Sequence, residues 1–125
     1  MTAPVLGQIV WAALSALWNV VGVMLIAAGS RPLGPTASWA GAAVLVIMAG
    51  LFPLLARRWT WPYLALSVVA GALGALAVWQ AVTGDPGQWP SPFWRWAGVA
   101  LNAFGCVASV AGCLAALTSP ASKAV

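Results

Sequence analysis

The stretch PVLGQIVWAALSALWNVVGVMLIAAG (Pro4–Gly29) decides the fold, because it runs for 26 residues without a charged side chain. A helix of about 20 residues crosses the ~30 Å hydrocarbon core of a bilayer. Three further apolar stretches follow, over residues 38–56, 62–82 and 93–117. Backbone groups find no hydrogen-bond partner in lipid, so each stretch is expected to be a helix. The sequence therefore predicts an all-α integral membrane protein, a four-transmembrane-helix bundle forming a single membrane domain over residues 1–125.

The composition excludes a soluble domain. Hydrophobic residues make up 63% of the chain and charged residues 5%, whereas soluble domains carry about 25% charged residues. The one acidic residue is Asp85, and the few basic residues lie near segment ends without forming a patch. We therefore expect the lipid bilayer to be a partner and nucleic acid not to be one. The basic residues are Arg31, Arg57, Arg58, Arg95 and Lys123.

The positions of the basic residues predict an orientation. Arg57, Arg58 and Lys123 fall on the side of the N-terminus, and Arg31 and Arg95 fall on the opposite side. The positive-inside rule places the richer side in the cytoplasm. We therefore expect both termini to be cytoplasmic, in the bacterial inner (cytoplasmic) membrane. The margin is one charge, so dual topology stays open as an alternative.

Two asparagines lie inside apolar spans and share a pattern of small neighbours. Asn19 has Ser15 four residues before it and Gly22 three residues after it. Small residues let helix backbones approach closely, and an amide can then hydrogen-bond across the contact. One interpretation is therefore helix packing, which we favour; the other is a polar site for an ion, a quinone or another small molecule. The corresponding residues in the fourth span are Gly98, Asn102 and Gly105.

The tryptophans divide into two groups. Trp11 and Trp18 lie within the first span, seven residues apart on one face, where they would face lipid, a partner protein or a bound hydrophobic molecule. The remaining seven lie near predicted span ends, at the depth that indoles prefer. These seven are Trp39, Trp59, Trp61, Trp79, Trp89, Trp94 and Trp96.

The motif PFWRW (Pro92–Trp96) places Arg95 between Trp94 and Trp96. A base flanked by aromatic residues is typical of a membrane anchor at a helix end. The guanidinium could also contact a lipid phosphate or a partner's carboxylate, or stack on an indole. Arg95 is therefore the first candidate for a contact with lipid or a partner, and Trp94 and Trp96 are candidates beside it.

The chemistry that the spans lack narrows the function. No predicted span contains a carboxylate or histidine, the groups used for proton-coupled transport and acid–base catalysis. We expect no enzymatic activity, no metal site and no cofactor. The leading hypothesis is a non-catalytic accessory or assembly subunit that packs against a larger membrane complex.

Two alternatives stay open. The first is a homo-oligomeric transporter or channel for a small or hydrophobic solute, with a polar path through Asn19, Asn102, Ser109 or Ser67. The second is a lipid- or quinone-binding membrane protein that uses Trp11 and Trp18.

Overall fold

The computed structural model describes residues 1–119, and within that range the regular structure is entirely helical. Four helices are long and apolar enough to cross a membrane, which confirms the predicted four-helix membrane bundle. A short 3₁₀ helix, Pro86–Gln88, lies in the connection between the third and fourth. Lys123, used above for orientation, lies outside the described residues. The four helices are α1 (Ala3–Ala27), α2 (Trp39–Arg58), α3 (Thr60–Thr83) and α4 (Pro92–Thr118).

Helix α1 ends earlier than predicted, because Gly29 adopts the left-handed backbone conformation with φ of 80°. The N–H of Ser30 donates to the Leu25 carbonyl, and the N–H of Gly29 donates to the Ile26 carbonyl. This is the Schellman arrangement, which satisfies the last carbonyls of a helix and favours glycine. Gly29 therefore ends the helix and does not extend its packing face.

The connection between α2 and α3 is shorter than the break over residues 57–61 that separates the predicted spans. Arg57 and Arg58 belong to the last turn of α2, where positive charge is favoured by the helix dipole. Trp59 alone separates the helices, with extended backbone angles (φ −140°, ψ 103°). A single linking residue makes α2 and α3 antiparallel neighbours at that point.

The helices form a ring in which α1 contacts α2 and α4, and α3 contacts α4 and α2. The α3–α4 pair makes the most extensive contact of all. The α2–α3 pair makes the least contact of the neighbouring pairs. We call the end that carries Met1, Trp59 and Ser119 the turn end. The end that carries the connections over residues 28–38 and 84–91 is the loop end. Because α2 and α3 make little contact, there is space for cavities between them and at the two ends of the bundle.

The core lies between the turn end and the middle of the bundle. Its buried hydrophobic cluster comprises Val5, Trp11, Ala12, Met48, Phe52, Tyr63 and Ala70. The outer faces of the helices carry exposed apolar side chains, such as Val68 and Val107, which suit contact with lipid acyl chains. The protein therefore has a small buried core and a large apolar exterior.

Candidate functional site

A cavity of about 450 Å³ lies between the four helices in the loop-end half of the bundle. We call it the loop-end cavity. Its walls include several of the residues that the sequence analysis singled out, from both α1 and α4. These residues are Trp11, Ser15, Trp18, Asn19, Gly98 and Asn102.

The inner wall is built by Trp11 on α1 and Asn102 on α4. Trp11 is only 2% exposed, so it lies in the core and does not face lipid. Its Nε1 donates to Asn102 Oδ1 over 3.4 Å, and Asn102 Nδ2 donates to the Gly98 carbonyl oxygen over 2.9 Å. The indole lies against Gly105, where any Cβ would overlap it. Gly105 thus makes room for the ring that closes the cavity toward the core.

Asn19 connects α1 to the beginning of α2. Its Nδ2 donates to the Ser15 carbonyl oxygen over 2.9 Å, and its Oδ1 accepts from the Ser38 N–H over 3.2 Å. Ser38 is the N-cap of α2, and its own hydroxyl accepts from the Gly41 N–H. Both asparagines therefore donate to the carbonyl four residues back in their own helix and accept from a different element.

We expect Asn19→Ala to weaken the start of α2 more than the bundle as a whole. The substitution leaves the Ser38 N–H without its acceptor, and loss of a capping contact costs about 1 kcal/mol. Hydrogen exchange should show faster exchange at Ser38 and Gly41 and unchanged protection in the middle of α4. Uniformly faster exchange throughout the bundle would contradict this local role.

The hydroxyl of Ser15 is the unsatisfied polar group of the cavity wall. Ser15 is 8% exposed, and its Oγ has no hydrogen-bond partner among residues 1–119. A buried hydroxyl without a partner costs about 1–3 kcal/mol. Because less than 1 Å² of this oxygen is accessible, a molecule in the cavity would reach it only after the wall rearranges.

The side of the cavity is open between α2 and α3. Val44 of α2 and Leu73 of α3 both line it, yet they remain 51% and 43% exposed. This opening follows from the slight contact between the two helices. Because both helices are apolar and of membrane-spanning length, the opening faces the acyl chains of the bilayer.

The loop end of the cavity is covered by indoles. Trp18 meets Trp94 edge to face, with ring centroids 5.7 Å apart. Trp89 lies so close to Gly98 that a Cβ there would sit 3.2 Å from the ring. Trp89, predicted as an interfacial residue, and Trp94, predicted also as a contact for lipid or a partner, are thus half-buried and help to close the loop end.

The remaining candidates lie outside the cavity. Arg95 donates from Nε to the Ala81 carbonyl oxygen over 2.8 Å and from a terminal nitrogen to the Val82 carbonyl oxygen over 3.0 Å. Its guanidinium also lies 5.3 Å from the ring centroid of Trp96. Arg95 therefore joins α4 to the last turn of α3, a partner that the local motif did not indicate. Gly22 packs against the connection before α2, since a Cβ there would meet the Ala37 methyl at 2.7 Å.

Sequence reasoning missed a buried polar network near the turn end. Gln8 is fully buried; its Nε2 donates to Ser67 Oγ over 2.8 Å, and it accepts from the Tyr63 hydroxyl over 2.7 Å. The network connects α1 to α3. A signal was present, because Gln8 lies seven residues before Ser15 and extends the same helix face.

The chain matches no known protein family, no curated protein and no solved structure. Within residues 1–119, no three His, Cys, Asp or Glu side chains come together as metal ligands. Any assignment of function therefore depends on the geometry of the bundle itself.

Proposed function

We propose that this small membrane protein is non-catalytic and binds a mainly apolar, membrane-dissolved molecule in the loop-end cavity. The observation that carries the proposal is the cavity itself, which is walled mainly by apolar and aromatic side chains, has the amide of Asn102 in its wall and opens toward lipid. Its volume of about 450 Å³ falls within the range of small-molecule sites, which is about 300–1,000 Å³. Few polar groups among many apolar ones are typical of such sites.

The lining indicates the class of ligand. Trp18 and Trp89 offer aromatic surface at the loop end, and Leu45 and Leu101 offer aliphatic surface deeper in the bundle. The accessible polar group is the amide of half-buried Asn102, which retains a second N–H. A flat ring or a chain that carries a single carbonyl or hydroxyl group matches this lining, as in a quinone or a neutral lipid.

We expect Ala77→Phe to reduce the amount of bound molecule several-fold. Ala77 is half-buried on α3 and lines the cavity, so a phenyl ring there would occupy the space of the ligand. The matched control is Ala75→Phe, at an exposed position on the same helix outside the lining. Extraction in mild detergent followed by native mass spectrometry would give the occupancy of small-molecule adducts. Equal occupancy in both variants, or none in the wild type, would contradict the proposal.

A second candidate is the accessory or assembly subunit of a larger membrane complex. The observation in its favour is the weakly packed α2–α3 face, where Val44 and Ile47 of α2 and Leu73 and Leu76 of α3 remain exposed. A helix of a partner subunit, or of a second copy of this chain, could pack against that face. The same extraction would then yield a stoichiometric protein partner in place of a small-molecule adduct.

The contacts give less support to a transporter or channel. Ser67 and Ser109, two members of the polar path expected for one, are each 1% exposed. They line neither the loop-end cavity nor the cavity described below. The packed core lies between the two cavities and would have to open for a solute to pass.

We further propose that the termini lie in the cytoplasm of a bacterial inner membrane. Arg57, Arg58 and the N-terminus all lie at the turn end, which supports this orientation. Topology reporters fused at each terminus test it, and periplasmic activity of either reporter would contradict it.

A further inference from the structure

A second cavity, of about 750 Å³, opens at the turn end of the bundle. We call it the turn-end cavity. Residues of all four helices line it, together with Met1, Thr2 and Trp59. The buried network of Gln8, Tyr63 and Ser67 separates the turn-end cavity from the loop-end cavity. The two cavities share no lining residue. The function of the turn-end cavity is therefore independent of the ligand proposed above.

The rim of the turn-end cavity carries two adjacent arginines. Arg57 and Arg58 both line it, and neither side chain has a hydrogen bond or ion pair with any of residues 1–119. The arginines of the loop end differ, because Arg31 donates to the Gly87 carbonyl oxygen and Arg95 donates to carbonyl oxygens of α3. The only acidic residue of the chain, Asp85, is at the loop end. The turn-end pair is thus positive, exposed and uncompensated by this part of the chain.

The interior of the turn-end cavity is lined mainly by small or apolar groups. On α4 the small side chain of Ala115 leaves space, and on α2 the wall is formed by Pro53 and Ala56. Gly112, also on α4, is packed against the Tyr63 hydroxyl and the Gln8 amide. The Tyr63 hydroxyl at the inner end already donates a hydrogen bond to Gln8, so a ligand there does not have to supply an acceptor for it. The cavity therefore offers an apolar slot beneath a doubly positive rim.

We propose that the turn-end cavity binds an anionic phospholipid, with the phosphate at Arg57 and Arg58 and part of an acyl chain in the slot. Guanidinium groups suit phosphate because they donate paired hydrogen bonds to its oxygens. The rim lies at the end of α2, at the depth of lipid headgroups. The apolar slot favours a lipid over a soluble phosphate, since a headgroup alone would leave it empty.

Binding of defined lipids to the detergent-solubilised protein, titrated by native mass spectrometry, tests this assignment. The probes are dioleoyl-phosphatidylglycerol, dioleoyl-phosphatidylcholine and glycerol 3-phosphate. We expect the wild type to prefer phosphatidylglycerol over phosphatidylcholine and to bind glycerol 3-phosphate much more weakly. Each arginine near a membrane surface contributes about a 5-fold gain in affinity for anionic lipid. Arg57→Gln should therefore lower the affinity for phosphatidylglycerol roughly 5-fold. The variant with both Arg57→Gln and Arg58→Gln should lower it roughly 25-fold.

Two controls separate a site from general attraction. Arg31→Gln removes the same charge at the loop end and should leave phosphatidylglycerol binding unchanged. Ala115→Phe fills the slot and should weaken phosphatidylglycerol binding with the arginines intact, whereas Ala103→Phe, at an exposed position of α4 outside the lining, should not.

Three results would overturn the proposal. Equal losses in Arg31→Gln and Arg57→Gln would show attraction to net charge alone. Unchanged phosphatidylglycerol binding by Ala115→Phe would show that no acyl chain occupies the cavity. Glycerol 3-phosphate binding as tight as that of phosphatidylglycerol would make this a site for soluble anions. None of these results depends on the molecule bound at the loop end.

Discussion

Gly105→Leu should lower the free energy of unfolding by about 3 kcal/mol, at the upper end of the usual cost of overpacking. Even the Cβ would overlap the indole of Trp11, which is 2% exposed and forms the inner wall of the loop-end cavity. Displacing the ring would also break the bond from Trp11 Nε1 to Asn102 Oδ1. Unfolding in mixed micelles titrated with SDS measures the change.

The matched control for this prediction is Gly50→Leu. Nothing lies within 4 Å of a Cβ built at Gly50 on α2, so the same substitution there meets lipid and should be nearly neutral. Trp11→Ala in the Gly105→Leu background supplies the second check, because it removes the overlap. The double variant should lose at least 1 kcal/mol less than the sum of the single losses. Equal losses at Gly50 and Gly105, or additive losses in the double variant, would contradict the contact.

The fold was predictable from sequence because lipid leaves a chain few options. Over Pro4–Gly29 the absence of charge sets the environment, and the lack of backbone partners in that environment requires a helix. The exact ends were less predictable, since they depend on single residues. Ser15, Gly22 and Gly29 follow one another at seven-residue steps, yet the positive φ of Gly29 places it beyond the end of α1. A periodic pattern does not show where the helix that carries it stops.

The partners of the candidate residues were less predictable than the residues themselves. Asn19 and Asn102 have matching local patterns, but one accepts from a backbone N–H at the start of α2 and the other from the indole of Trp11. That difference arises from which helices are adjacent, and the local sequence does not encode adjacency. Arg95 illustrates the same limit, because its acceptors lie at the end of a different helix.

The loop-end cavity could not be inferred from composition or periodicity. It exists because α2 and α3 make little contact while α1 contacts α4 through Trp11 and Asn102. Two apolar helix faces have the same sequence pattern whether the helices pack closely or stand slightly apart, so the pattern does not reveal their separation. The local sequence marks Ser15 as a small residue, and only the packed bundle shows that its hydroxyl has no partner among the described residues.

The second large effect is expected from Gln8→Leu, which should cost about 2 kcal/mol of unfolding free energy. Gln8 is fully buried and is the only described partner that joins the hydroxyls of Tyr63 and Ser67 to α1. Leucine fills similar volume but leaves both hydroxyls without the amide, and a buried group that loses its partner carries a desolvation cost. Gln80→Leu is the matched control, because Gln80 is an exposed amide on α3 and its loss should be nearly neutral.

A double substitution separates the network from simple packing. Replacing both partners of a buried hydrogen bond by apolar groups is much cheaper than replacing one. The variant with both Gln8→Leu and Tyr63→Phe should therefore be more stable than the sum of its single losses predicts, by about 1 kcal/mol. Strictly additive losses, or a neutral Gln8→Leu, would show that the amide and the hydroxyl act independently. A confirmed coupling would identify this network as a polar link between α1 and α3, on the core side of the turn-end cavity.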